Sequence, residues 1–147
     1  MKKQIGTVLF SNIVTQPVYD GKPTGKFEIT LTLDEAQFTD AESNGLGATS
    51  GEYNGQAQYK AKFKSKFKLG KKEVVDRYKQ PYVDEEGNLK EIPRGSKVVV
   101  FTTPKPYSMM GKDGITNYLN AIQIIDEATA IDFEDFSEEL EEQDVEF

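Results

Sequence analysis

The chain has no cysteine, no histidine and no tryptophan. Without cysteine there are no disulfides and no thiolate metal sites, a composition that fits a reducing cytoplasm. Without histidine the commonest metal ligand and general base is gone, so catalysis would have to run on carboxylates, lysine, tyrosine or serine. Long hydrophobic runs are missing as well. The N-terminal stretch MKKQIGTVLFSN carries two lysines, but Gly6, Thr7, Ser11 and Asn12 interrupt its apolar residues. It does not read as a signal peptide, and no segment approaches a membrane span. The expectation is a soluble cytoplasmic protein with no membrane partner. At 147 residues it is one domain with enough chain to bury a real core.

Positive charge is missing from one end. From Asp126 to Phe147 there are eleven acidic residues and no lysine or arginine. That leaves fourteen of the twenty-five acids against all eighteen bases in residues 1–125, a balance of +4 that the overall −7 conceals. The chain therefore divides into a mildly basic body, 1–125, and an acidic tail, 126–147. High charge and few core-building residues predict a disordered tail. Phe133, Phe136 and the terminal Phe147 punctuate its acids, which an inert solubiliser would not need.

The body is organised around Tyr59–Lys72, YKAKFKSKFKLGKK. Lys60, Lys62, Lys64, Lys66 and Lys68 take alternate positions, with Tyr59, Ala61, Phe63, Ser65, Phe67 and Leu69 between them. A period of two is the β-strand period. As a strand, the segment lines up its ammonium groups about 6.7 Å apart on one face. Such a row repels itself unless neutralised, and an extended polyanion along the strand would do that. The plainer reading is an amphipathic strand, Phe63 and Phe67 in a core and the lysines in water.

Around it the pattern predicts four more strands. Ile5–Val14 is apolar and bounded by Gln16-Pro17, and Phe27–Leu33 alternates cleanly between apolar and polar residues. Lys97–Thr103 is valine-rich and stopped by Pro104 and Pro106, and Ile115–Ile125 closes the body. Asp20–Gly25 holds a lysine between glycines, but the spacing is wrong for a phosphate loop. Asp34 caps a short helix to Ser43, and glycine-rich Asn44–Gly55 reads as a flexible loop. Met109–Gly114 reads as another loop, with Lys112 at its tip. Five strands joined by turns and long loops are compatible with an all-β, OB-fold-like Greek-key barrel.

Two function classes compete with nucleic-acid binding. Asp84, Glu85 and Glu86 could hold Mg²⁺ in a nuclease, although they sit on a Gly-Asn turn. An adaptor whose acidic tail binds a basic partner is the other. Binding is favoured by one dense basic region, the five alternating lysines with Lys71, Lys72, Arg77 and Lys79, and by the rings in and around it. Interleaved bases and rings suit single strands, whose splayed bases stack whatever their sequence. If the lysine face meets DNA, Phe63 and Phe67 belong to the core. The stacking candidates are then Tyr53, Tyr59, Tyr78, Tyr82 and Tyr107, since a phenol tolerates a half-wet site. No metal or cofactor is called for.

From Pro93 to Ile125, Gly95-Ser96 opens a valine-rich strand, Tyr107 follows, and Gly114-Ile115 leads into Leu119-Asn120-Ala121-Ile122-Gln123. With the acidic end closing on Phe147, this pattern resembles the single-stranded-DNA-binding proteins of tailed bacteriophages. The resemblance implies an OB-fold body and sequence-tolerant single-strand binding in replication and recombination, often with strand annealing. It also implies a tail that docks polymerase, primase-helicase or recombination partners. The lysine row is more regular than that family's pattern requires, and a homodimer is left open.

Overall fold

A computed structural model describes residues 1–128. The expected tail disorder, and Phe133, Phe136 and Phe147, lie outside the described residues. Nine strands and one helix follow in chain order among those residues: β1 (Lys2–Asn12), β2 (Val18–Tyr19), β3 (Lys22–Pro23), β4 (Phe27–Leu33), α1 (Glu35–Ser43), β5 (Thr49–Tyr53), β6 (Gln56–Ser65), β7 (Val74–Val75), β8 (Lys97–Met109) and β9 (Lys112–Asp126).

Five of these strands form a ring. β1 pairs antiparallel with β4 and β8, β4 with β6, and β8 with β9. A short parallel pairing, Phe63 with Asn117 and Lys64 with Tyr118, joins β6 to β9 and closes the barrel. This order, with one parallel seam among antiparallel neighbours, is the OB-fold barrel the sequence predicts.

Local chemistry accounts for most elements. In β4 the alternation sends Ile29, Leu31 and Leu33 inward, where all three are buried. α1 begins where expected: the Asp34 carboxylate accepts from the Gln37 N–H at 2.7 Å, and the Gln37 side chain accepts from the Asp34 N–H at 2.9 Å. This reciprocal capping box satisfies two donors that a helix start leaves open. From the helix, Ala41 and the following Leu46 join the core cluster, with Phe38 packed against it. Buried Gln4 donates to the carbonyls of Ile5 at 2.9 Å and Gln37 at 3.2 Å, tying β1 to the helix.

The structure corrects the expected layout in four places. Asn44–Gly55 is not a flexible loop throughout, because Thr49–Tyr53 forms β5 and pairs with β6 across an Asn54–Gly55 turn. Both turn residues have positive φ, 52° and 77°, which suits the tight hairpin turn that follows strand twist. The lysine strand is shorter than Tyr59–Lys72. At Ser65 the side-chain oxygen accepts from the Phe67 N–H at 3.1 Å and donates to the Phe67 carbonyl at 2.6 Å, turning the chain off the sheet.

β8 also runs straight through Pro104 and Pro106 to Met109, and the turn beyond it is only Met110–Gly111, so Lys112 already belongs to β9. Prolines are tolerated here because β1 pairs with β8 no further than Thr102. In a two-residue hairpin the closing pair, here Met109 with Lys112, is hydrogen-bonded and the pairs alternate from there. Pro104 and Pro106 thus fall on non-bonded pairs with their nitrogens toward the open edge, where no donor is needed. The last correction is a gain: Val74–Val75, outside the five expected strands, pairs parallel with β9 and buries Val74.

One long-range anchor has no local signature. The Glu91 carboxylate accepts from the Ser11 hydroxyl at 2.9 Å and from the N–H groups of Ile13, Val14 and Thr15 at 2.8, 3.1 and 2.9 Å. It holds the chain leaving β1 against the segment that leads into β8.

Candidate nucleic-acid interface

Two hairpins border the site. β5–β6 forms one arm, and the outer halves of β8 and β9, residues 103–116, form the other. Their junction is held by Asn117, a buried carboxamide acting as a spare peptide group. Its oxygen accepts from the Gly47 N–H at 2.8 Å, and its nitrogen donates to the carbonyls of Gly47 at 2.7 Å and Lys62 at 3.0 Å. Gly47 fits there because a β-carbon would come within 2.7 Å of the Ile115 carbonyl oxygen.

Between the arms lies an open groove of about 650 Å³. One wall carries Lys60, Lys62 and Lys64 of β6, and the other Tyr107 of β8 with Ile115 and Thr116 of β9. Phe10 and Leu9 of β1, with Thr30 of β4, line it as well. The lysines face outward because Tyr59, Ala61 and Phe63 take the inner face, Phe63 with 0% of its surface exposed. Cross-strand register sets Glu28, Thr30 and Thr32 of β4 opposite Lys64, Lys62 and Lys60. Among the described residues the row meets one carboxylate, Glu28, 3.9 Å from Lys62. With the lysine half exposed, a pair at that distance is worth little, so the wall stays positive.

Phe10 reaches the groove through a backbone irregularity. Val8 pairs with Leu31 but Phe10 with Thr30, which makes Leu9 an extra residue in β1. Before this bulge the even residues Gln4, Gly6 and Val8 point inward; after it Ile13 is buried and Phe10 stands 56% exposed. Strict alternation would have put Phe10 in the core, so nothing in the sequence marked it. Ile115, Tyr118 and Lys105 were likewise overlooked. Tyr118 sits beside Lys64 across the barrel seam, with the Lys105 ammonium 5.7 Å from its ring centroid. Its position between inward Asn117 and Leu119 was the readable signal.

Of the rings expected to stack, the structure brings Tyr107 into the groove, 49% exposed. Tyr53 lies on β5. Tyr59 corrects the expectation: it is half-buried on the inner side of β6, stacked on Phe38 of α1 at 4.5 Å between centroids. Tyr82 is a second correction, only 4% exposed, with the Lys90 ammonium 4.6 Å from its ring centroid. Burial, with Glu127 nearby, pushes its phenol well above the ordinary tyrosine range. Tyr78 and Arg77 are exposed and stacked on each other at 5.5 Å, in a turn whose N–H groups bond Asp76. That turn follows the Val75–Gln123 pairing, about 20 Å along β9 from Asn117 and away from the groove.

The remaining basic candidates lie outside the groove walls. Lys66, Lys68, Lys71 and Lys72 are exposed on the segment after β6, Lys71 near Gly87, and Lys112 is exposed beside the β8–β9 tip. Phe67, expected in the core, is instead 80% exposed, because the turn at Ser65 ends the alternation before it. The acidic triplet forms a turn: the Asp84 carboxylate accepts from the N–H groups of Glu86 at 2.9 Å and Asn88 at 3.0 Å.

Fold and site together define an OB barrel with an open, basic, ring-bearing groove between two hairpin arms. No protein-family model matches the sequence, and no curated protein matches it. Among solved structures, the single-stranded DNA-binding protein from bacteriophage Enc34, in complex with single-stranded DNA, is similar with a TM-score of 0.65 at 11% identity, over 86% of each chain. The single-stranded DNA-binding protein gp2.5 encoded by bacteriophage T7 is similar with a TM-score of 0.56 at 16% identity, over 87% of this chain and 92% of that one. The chain shares its fold with these phage proteins.

Proposed function

We propose that the protein binds single-stranded DNA without sequence preference, along the groove between its two hairpin arms. The observation that carries this reading is the placement of Lys60, Lys62 and Lys64 on one wall of a groove whose other surfaces offer Phe10, Tyr107 and Ile115. A row of ammonium groups follows a phosphate backbone, and open rings stack on bases of any identity. Among the described residues the groove is lined by strands and the Gly47–Ala48 connection, and by no residue of α1. The fold shared with two phage single-stranded DNA-binding proteins supports the same assignment.

The working context is phage DNA replication and recombination in the host cytoplasm, in a non-enzymatic role. The division is a binding body, 1–125, and an acidic segment, 126–147, that docks polymerase, primase-helicase or recombination partners. The segment starts well away from the groove: Asp126 ends β9, about 30 Å along the strand from Asn117. A gel shift with an unstructured oligonucleotide, run beside duplex and RNA competitors and with and without Mg²⁺, tests the reading. Shifted single strand resistant to duplex supports it. Mg²⁺-dependent cleavage would point to a nuclease, and no shift to an adaptor. Removing residues 129–147 should leave single-strand binding intact, and tighter at low salt if their acids compete with phosphates.

A further inference from the structure

Phe67 is placed where neither folding nor the groove uses it. The serine turn at Ser65 fixes its backbone on one side, and Leu69, buried in the core, anchors the chain on the other. Between these points the ring stands in water, flanked by exposed Lys66 and Lys68. Neither lysine has a carboxylate partner among the described residues. A ring of this size is ordinarily stabilising when buried, and here the fold forgoes that gain. The position also stays near the lysine row: chain length keeps the Phe67 Cα within about 11 Å of that of Lys64. Lys66, Phe67 and Lys68 are the next exposed basic and aromatic side chains along the chain beyond Lys64.

We propose that Phe67 is a second stacking platform outside the groove, which takes a nucleobase of the departing strand while Lys66 and Lys68 hold the flanking phosphates. This rests on the groove binding a single strand. The platform's ligand is any base, because a benzyl ring offers a face and no hydrogen bond. It extends the footprint beyond what the groove alone covers, so it should act on long strands and be idle with short ones.

The test uses the full chain and the absence of tryptophan. Phe67→Trp installs the sole indole, whose fluorescence reports a base stacked on it. Oligothymidines of about 5 and about 16 nucleotides span the site sizes of single OB folds. The longer one should quench the indole and the shorter one leave it bright. Phe67→Ala should weaken the longer oligonucleotide roughly 5- to 150-fold, the equivalent of one stacked base, and bind the shorter one as before. Its melting temperature should match that of the parent. An unquenched indole with full affinity for both lengths overturns the platform, while loss of binding in a Lys60/Lys62/Lys64→Ala variant keeps the groove. Equal weakening at both lengths also overturns it, since the ring would then serve the groove itself. If the parent chain binds neither oligonucleotide, the groove reading falls and the platform with it.

Discussion

The ring of Tyr107 lies across the backbone of Gly114, its partner in the β8–β9 ladder, so closely that a β-carbon on Gly114 would collide with the phenol. The hydroxyl end of the ring is thereby set against the arm, while the side chain as a whole stays half exposed at the groove. Gly114→Ala should displace the ring without unfolding the arm, because the obstructing atoms are the far end of a half-exposed side chain. Single-strand affinity should fall about as far as in Tyr107→Ala, by roughly 1–3 kcal/mol, with little change in melting temperature. Normal affinity in Gly114→Ala would show that the ring's orientation does not matter.

Replacing Lys60, Lys62 and Lys64 together by alanine should change the salt dependence of binding more than the fold. Each phosphate contact on a single strand contributes about 0.7 to the slope of log K against log salt, so the slope should become shallower by about 2. Titrations at several salt concentrations measure it. An unchanged slope would send the DNA elsewhere on the surface.

Phe63→Ala should separate folding from binding. The ring is fully buried between the sheet and the core cluster, so its removal should cost about 3–5 kcal/mol of stability. Denaturant unfolding of the variant gives the number directly. A loss below about 1 kcal/mol would mean that the barrel repacks around the gap.

Asn117 offers a prediction with a pH sign. Asn117→Ala leaves the Gly47 N–H and the carbonyls of Gly47 and Lys62 without their partner, at a cost of roughly 2–3 kcal/mol. In Asn117→Asp a carboxylate would face those two carbonyl oxygens, which raises its pKa in the folded state above the unfolded value. The variant should therefore be least impaired below about pH 4, and lose stability as pH rises through the folded pKa. Thermal melts from acid to neutral pH follow this, and a deficit that shrinks with rising pH would contradict the bonding pattern.

Elements governed by neighbours in sequence were legible, and those governed by distant partners were not. β4 announced itself through Phe27–Leu33 alternation, and α1 through its Asp34 cap, because both depend on contacts a few residues apart. β5 did not: its sequence, TSGEY, has little to bury and is a strand because β6 offers an edge. The lysine row was visible as a pattern, but Ser65 ends it early through a side-chain turn that competes with the ladder. Which rings stay open was decided at long range. Phe38 covers Tyr59, the core takes Tyr82, and a single bulged residue, Leu9, turns Phe10 outward.

The closure of the ring also sets an order of events during synthesis. β1 waits for β8, since Lys2–Thr7 pair with Lys97–Thr102, ninety to a hundred residues later, and β6 waits for β9 to form the parallel seam. Until then the ring stays open at the β1–β4–β6 meander, whose inner face shows Ile29, Leu31 and Phe63. At 5–20 residues/s, the roughly 60 residues from the end of β6 to the end of β9 take about 3–12 s to make. For that interval each new chain on the ribosome carries an open hydrophobic sheet, the surface a chaperone would recognise and the one through which ribosome-bound neighbours would aggregate.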